Sequence, residues 1–334
     1  IVDNGGGISL WGTSNSVSGN NITANKSSGI VLSGTQNSIV GNKVENNGGY
    51  GIALGSSSKN NISKNSIKGN GYGIYLSNSS YNKIAENNVI ENKGYGIYIR
   101  SFWSEEYYGY YWSSSNNVSG NNVMNNGNYG IYLESSSYSV LRSNIMAGNK
   151  YNFGVIGFQR FLGTYIDFPS WANDVDSSNT VEGKPIYYWV NKQDMTVPSD
   201  AGYVALVGCT GITVQSLNLV RNGQGILLAF TTNTTIAGNN MVNKEYGVFL
   251  YSSNDTEISG NSIMNSTMDG IYLKASSSNI IVGNTVASNR EHGIYVFCYS
   301  NYNSLIGNNI KTNSKGGISL YYFSDYNSVS GNNI

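Results

Sequence analysis

The chain has 334 residues, with nineteen basic and nineteen acidic side chains, one His, three Pro and two Cys. Its 41 Gly, 51 Asn and 48 Ser disfavour helix interiors, and no long stretch places apolar residues at i, i+3, i+4 and i+7, which excludes a helical or doubly wound enzyme. Zero net charge leaves no basic stripe for nucleic acid, and no run of about 18 apolar residues exists to span a bilayer. The opening Ile1-Val2-Asp3-Asn4, without Met or an apolar leader, reads as a mature product or an excised piece.

A polar chain of this kind escapes disorder only if its apolar residues are placed regularly. They are. Gly-Ile or Gly-Val, then x and Leu, Ile or Val, recurs at Gly7, Gly29, Gly51, Gly73, Gly96 and Gly130, and again at Gly225, Gly247, Gly270, Gly293 and Gly317. Apart from two interruptions the period is 22 to 24 residues, which means a solenoid. Within each unit apolar and polar residues alternate over short runs, the period of a strand. One inward stack runs Ile8, Ile30, Ile52, Ile74 and Ile97, and a second Leu10, Leu32, Leu54, Leu76 and Ile99.

No single unit can bury such a face, but coils stacked about 4.8 Å apart share a core and pair their backbones. The expected fold is all-β: a single-stranded parallel β-helix of about 13 coils with two insertions. Two asparagine columns, one through Asn20, Asn42, Asn65 and Asn87, the other through Asn25, Asn47, Asn70, Asn92, Asn222 and Asn289, read as structural corner ladders.

These units resemble the parallel β-helix repeats of the carbohydrate-binding and sugar-hydrolase superfamily, including NosD-like proteins and archaeal or bacterial cell-surface members. The resemblance implies a right-handed coil and specifies a fold rather than a reaction. It divides the chain into coils over 1–150, a non-repeat excursion over 151–201 packed on the helix, and coils over 202–334 of the same solenoid.

The first interruption, 102–112, is strongly aromatic and holds Trp103, Glu105, Glu106, Tyr108 and Trp112. It suits sugar stacking or a protein contact, or else folds back to bury its own rings. The second holds all three prolines, and its run Val181–Val190 reads as a strand pair outside the regular coil.

Chemistry is sparse. Glycoside hydrolysis needs two carboxylates at matching coil positions, and the coils supply no such column; Asp174 and Asp176 suit an Asx turn equally well. Copper handling, which a NosD-like maturation factor would require, wants Cys, Met or His. Here His292 is solitary, and Cys209 and Cys298 sit about four coils apart, beyond disulfide reach, and read as buried free thiols. No metal, cofactor or catalytic residue is assigned.

What remains is surface. The outward residue of the Gly-Ile-x-Leu run is Tyr75, Tyr98, Tyr132, Tyr272 or Tyr295, forming ladders suited to sugar rings or lateral association, although tyrosine also simply favours exposed strand positions. Sequons at Asn21, Asn25, Asn61, Asn78, Asn117, Asn233, Asn254 and Asn265 permit glycosylation. Neither end looks capped, and the tail would complete the head with a full period, so the chain is either a segment of a longer helix or a head-to-tail filament subunit. The expected function is an extracellular or cell-surface structural and adhesive protein, with itself or surface glycans as partner. The alternative is a lyase or glycoside hydrolase with its site near the insertions.

Overall fold

The computed structural model describes residues 1–104, 109–111, 113–158 and 167–334, with backbone alone for 102–104 and 109–111. Among these, every regular element is a β-strand, and no helix is long and apolar enough to cross a membrane. The strands stack as parallel sheets of a β-solenoid. Two compact units divide between Gly183 and Lys184.

In the first unit each coil lays one strand on each of three sheets. The longest strands, Ile8–Trp11, Ile30–Ser33, Tyr50–Gly55, Tyr72–Ser77, Ile97–Arg100, Tyr129–Glu134 and Tyr151–Ile156, stack in register as one parallel sheet. Three-residue strands such as Ser38–Val40 and Lys43–Glu45 build the other two. The second unit repeats the scheme, with long strands from Lys184–Val190 through Gln224–Ala229, Tyr246–Tyr251, Ile271–Lys274 and His292–Phe297 to Gly316–Tyr321.

Alternation puts Ile30, Leu32, Ile52, Leu54, Ile74 and Leu76 inside, all at most 1% exposed, as the two predicted stacks require. The recurring glycine has a steric cause. A Cβ at Gly51 would stand 2.6 Å from Ile67 Cγ2 and 2.8 Å from the carbonyl oxygen of Gly73 on the next coil.

Corners are made by one residue in the left-handed region followed by an inward asparagine. Ser14, Gly19 and Ala24, at φ 60°, 67° and 56°, precede Asn15, Asn20 and Asn25. The turned backbone leaves polar groups inside the coil, and the asparagines satisfy them. Asn42 Nδ2 donates to Oδ1 of Asn65 at 3.1 Å and to the carbonyl of Val17 on the preceding coil at 2.9 Å. Oδ1 of Asn65 also accepts the backbone N–H of Asn42 at 2.9 Å. In the first unit both predicted ladders form, and a third, unpredicted one runs Asn37, Asn60, Asn82 and Asn116; in the second unit the column predicted through Asn222 and Asn289 is interrupted. A fourth corner uses hydroxyls, with Ser57 and Ser79 N–H each donating to the Oγ of the next coil. In the second unit that column is headed by Cys209, whose N–H donates to Thr231 Oγ1 at 3.2 Å.

The run Val181–Val190, expected outside the regular coil, lies within the sheets instead. Thr180–Val181 pairs with Ile145–Met146, and Ile186–Val190 with Tyr203–Val207. Asn173 and Asn179 enter the ladders, accepting from Ser139 N–H and Asn144 Nδ2. Its proline-rich, asparagine-poor composition hid two strands that keep the register.

Candidate functional site

The outer side of the long sheet carries the most distinctive surface. In the first unit two neighbouring columns are tyrosine: Tyr50, Tyr72, Tyr95, Tyr129 and Tyr151 precede or replace the glycine-isoleucine step, and Tyr75, Tyr98 and Tyr132 follow it. Rings of the two columns also meet one another, both within a coil and between coils. Tyr50 stacks on Tyr75 at 4.7 Å between centroids, Tyr95 on Tyr98 at 4.5 Å and Tyr129 on Tyr132 at 4.4 Å. Along the axis Tyr72 stacks on Tyr95 at 5.6 Å and Tyr95 on Tyr129 at 5.8 Å, nearly parallel. The second column is bounded by small residues, Ala53 below and Gly154 above.

One charged cluster edges this strip. Tyr98 donates its hydroxyl to Glu134, Arg100 Nε lies 3.8 Å from the same carboxylate, and the Arg100 guanidinium sits 5.9 Å from the Tyr98 ring centre. Burial and then the Glu134 bond push the Tyr98 phenol far above its ordinary value. Burial opposes the Arg100 charge, but Glu134, Tyr98 and Tyr75 outweigh it and hold Arg100 above its ordinary value. A phenol kept so firmly protonated is a hydrogen-bond group, not a base.

The second unit carries a related strip. Tyr246, Phe249, Tyr272 and Tyr295 stack at 5.1 to 5.6 Å. Where the first unit continues in tyrosine, this one places Asp269 and then His292. Asp269 Oδ1 accepts from the backbone N–H of His292 and meets its Nδ1, both at 2.9 Å, while the imidazole stacks on Tyr295 at 4.6 Å. Burial holds the Asp269 carboxyl above its ordinary value, although the His292 bonds oppose this. The pair orients the ring and leaves Nε2 without a protein partner among the described residues.

Sequence reasoning placed Tyr75, Tyr98, Tyr132, Tyr272 and Tyr295 on this face, and the structure brings the first three together in one strip and the last two in another. It expected ladders along the axis and missed that the two columns stack on each other, Tyr50 on Tyr75, Tyr95 on Tyr98 and Tyr129 on Tyr132. His292, read as solitary, is paired with Asp269. The signal was available in the spacing, since 23 residues is one period and puts both in one column. Arg100 and Glu134 are likewise neighbours on paired strands.

Backbone at Phe102–Ser104 and Gly109–Tyr111 forms an antiparallel ribbon. The side chain of Trp103, and Glu105, Glu106, Tyr108 and Trp112, lie outside the described residues. Asp174 and Asp176 both pair with Arg142, a surface ion-pair set. Of the sequons, Asn25 is corrected: it is 2% exposed and bonded within its ladder to Asn47, so no glycan can be attached to the folded chain there. Asn21, Asn117, Asn233 and Asn265 are exposed, and Asn61, Asn78 and Asn254 half-buried.

With coils, ladders and strips described, comparison with known proteins is informative. Residues 6–165 match the family described as right handed beta helix region, and residues 190–315 the family of the periplasmic copper-binding protein NosD. The chain belongs to the right-handed parallel β-helix repeat proteins. No curated protein matches this β-helix protein. Similar solved structures include the mannuronan C-5 epimerase AlgE6 A-module of Azotobacter vinelandii, at 12% identity and TM-score 0.38, covering 97% of this chain and 82% of that one. The periplasmic alginate epimerase AlgG is similar at 12% identity and TM-score 0.35, with coverage of 91% and 76%. An alginate lyase from Paenibacillus sp. str. FPU-7 is similar at 11% identity and TM-score 0.30, with 94% and 99%.

Copper fits this β-helix poorly. Among the described residues no group of three His, Cys, Asp or Glu is placed to hold a metal ion. His292 Nδ1 is engaged by Asp269, and the Cys209 thiol is buried at a hydroxyl-ladder corner, raised by burial, with its sulfur 3.4 Å from the Trp189 carbonyl.

Proposed function

We propose that the protein is a structural and adhesive β-helix acting outside the cytoplasm, and that the tyrosine strip of its first unit is a contact surface for extended glycans. The observation that carries this reading is the stack of half-buried rings from Tyr50 to Tyr132, backed by the buried Tyr129 and Tyr151, with Arg100 and Glu134 beside it. Stacked rings are stiff and lose little freedom on contact, and their outward hydroxyls, with one cation and one carboxylate, suit the dense hydroxyls of a polysaccharide. The resident charge is too low for a nucleic-acid surface. The periplasmic character of the NosD family agrees with a location beyond the cytoplasm.

The test is binding across uronate and neutral polysaccharides by the intact protein and by a Tyr75→Ser, Tyr132→Ser double variant. Retention by at least one glycan, weakened tenfold or more in the variant, is expected. No retention across the panel, or equal retention by both proteins, would overturn the reading.

One observation favours a second reading, a polysaccharide-active enzyme. The Asp269–His292 pair is an imidazole oriented through Nδ1 beside an aromatic strip, with Nε2 unpartnered among the described residues, the arrangement of a general acid or base. Release of reducing or unsaturated ends that disappears in His292→Gln would establish it, and an unchanged rate in that variant would remove it.

A further inference from the structure

The inner ladder of the second unit through Asn222, Asn289 and Asn313 is broken after its first rung. One period beyond Asn222 the corner holds Lys244, and one period further Ser266. Thr267 N–H donates to the Lys244 carbonyl at 2.9 Å, and Ser266 N–H to Asn289 Oδ1 at 2.9 Å, so both residues keep their place in the column. Lys244 is 0% exposed, and its Nζ has no hydrogen-bond partner among the described residues. Asn222 Oδ1 and Ser266 Oγ are buried and unpartnered as well. Three successive rungs therefore each hold a buried polar atom without a partner, where intact ladders pair theirs.

Charge does not rescue this corner. The rungs on either side carry uncharged Asn222 and Ser266, while Glu245, Asp269 and Glu291 bear on Tyr246 at the outer face. Burial alone drives the Lys244 amine well below its ordinary value. Two residues beyond Lys244 begins the strand Tyr246–Tyr251, which carries Tyr246 and the fully buried Phe249 of the second aromatic strip. The weakest inner corner and the first rings of that strip thus share one coil.

We propose that Lys244 is a proton-operated release point: an ammonium cannot remain buried in this corner without a partner, so proton uptake turns the side chain to water, opens the coil and loosens the strip. Release of a bound glycan on acidification follows if the second strip shares the glycan reading above; the opening itself does not depend on it.

Hydrogen exchange of the full chain, corrected for intrinsic rates, tests this at pH 8 and pH 5 in the wild type, Lys244→Asn and Lys244→Met. Peptides spanning Asn240–Tyr251 should lose at least tenfold in protection at pH 5 in the wild type and keep it in both variants. The Asp269–His292 pair is common to all three proteins, so only opening through Lys244 separates them. Equal protection of the wild type at both pH values, or the same loss in either variant, overturns the proposal. Opening without glycan retention at either pH would instead count against the glycan reading and leave the release point standing.

Discussion

Asn65 Nδ2 donates to Oδ1 of Asn87 on the next coil at 2.9 Å, and the same oxygen accepts the backbone N–H of Asn65 at 3.0 Å. With its second donation to the Ile39 carbonyl and its own Oδ1 accepting from Asn42, this one side chain satisfies groups on the coils before and after its own. Removing it leaves several buried groups unpaired at once.

Asn65→Ala is therefore expected to cost about 2–4 kcal/mol in denaturant unfolding. Asn21→Ala, at an exposed strand position, should stay within about 0.5 kcal/mol. Similar losses in the two variants would show that the ladder contributes no more than surface asparagine.

Gly51→Ala places a methyl group against Ile67 and the Gly73 carbonyl, at distances that force backbone to move. Destabilisation of about 1–3 kcal/mol or more follows, since well-packed interiors resist added volume. Gly55→Ala, which meets nothing within 4 Å, is the control and should be near neutral. A melting-temperature comparison of the two variants decides the point.

Lys244→Asn restores one of the two missing amide rungs, next to Asn222, and should raise stability. The sign of its pH dependence follows from burial, which lowers the amine in the folded chain while the unfolded chain titrates at the ordinary lysine value. Between those two values the unfolded state binds more protons, so the wild type loses stability as pH falls. The gap between wild type and variant should thus be small near pH 10 and widen toward neutrality in urea titrations. A gap that is constant over this range would contradict a neutral buried amine.

The tyrosine strips predict the opposite behaviour in alkali. Burial, with Glu134 for Tyr98 and nearby carboxylates for Tyr246, raises Tyr98, Tyr246 and Tyr272 well above the ordinary phenol. Stability from these groups is complete below about pH 10 and is lost as pH rises toward the folded values. Spectroscopic titration should show late phenolate absorbance appearing together with loss of strand signal. In Tyr98→Phe the Glu134 bond is gone and one late-titrating phenol should be missing.

Much of this was legible because a solenoid turns sequence period into spatial neighbourhood. Ile52 and Ile74, one period apart, had to meet, and so did Asn42 and Asn65. Contacts across columns were not legible. That Tyr50 reaches Tyr75 rather than only Tyr72 depends on how rings lean on a short strand, which no period encodes. Lys244 was hidden for a different reason. A gap in an asparagine column looks like tolerance until burial shows that nothing else satisfies the corner. Asp269 and His292 could have been paired from their one-period spacing, but unlike residues in a column do not announce a ladder.

The pairing of each corner amide with its counterpart one coil away has a genetic consequence. Asn20, Asn42 and Asn65 are interchangeable partners, so loss of a DNA segment encoding the 22 residues from Asn21 to Asn42 would let Asn20 meet Asn65 in the same manner. Duplication of such a segment would be equally silent. Unequal recombination can therefore lengthen or shorten the coding sequence in whole turns without leaving a scar in the protein. The stretch from Asn222 to Ser266 is the exception: an exchange there would copy or erase the Lys244 corner itself.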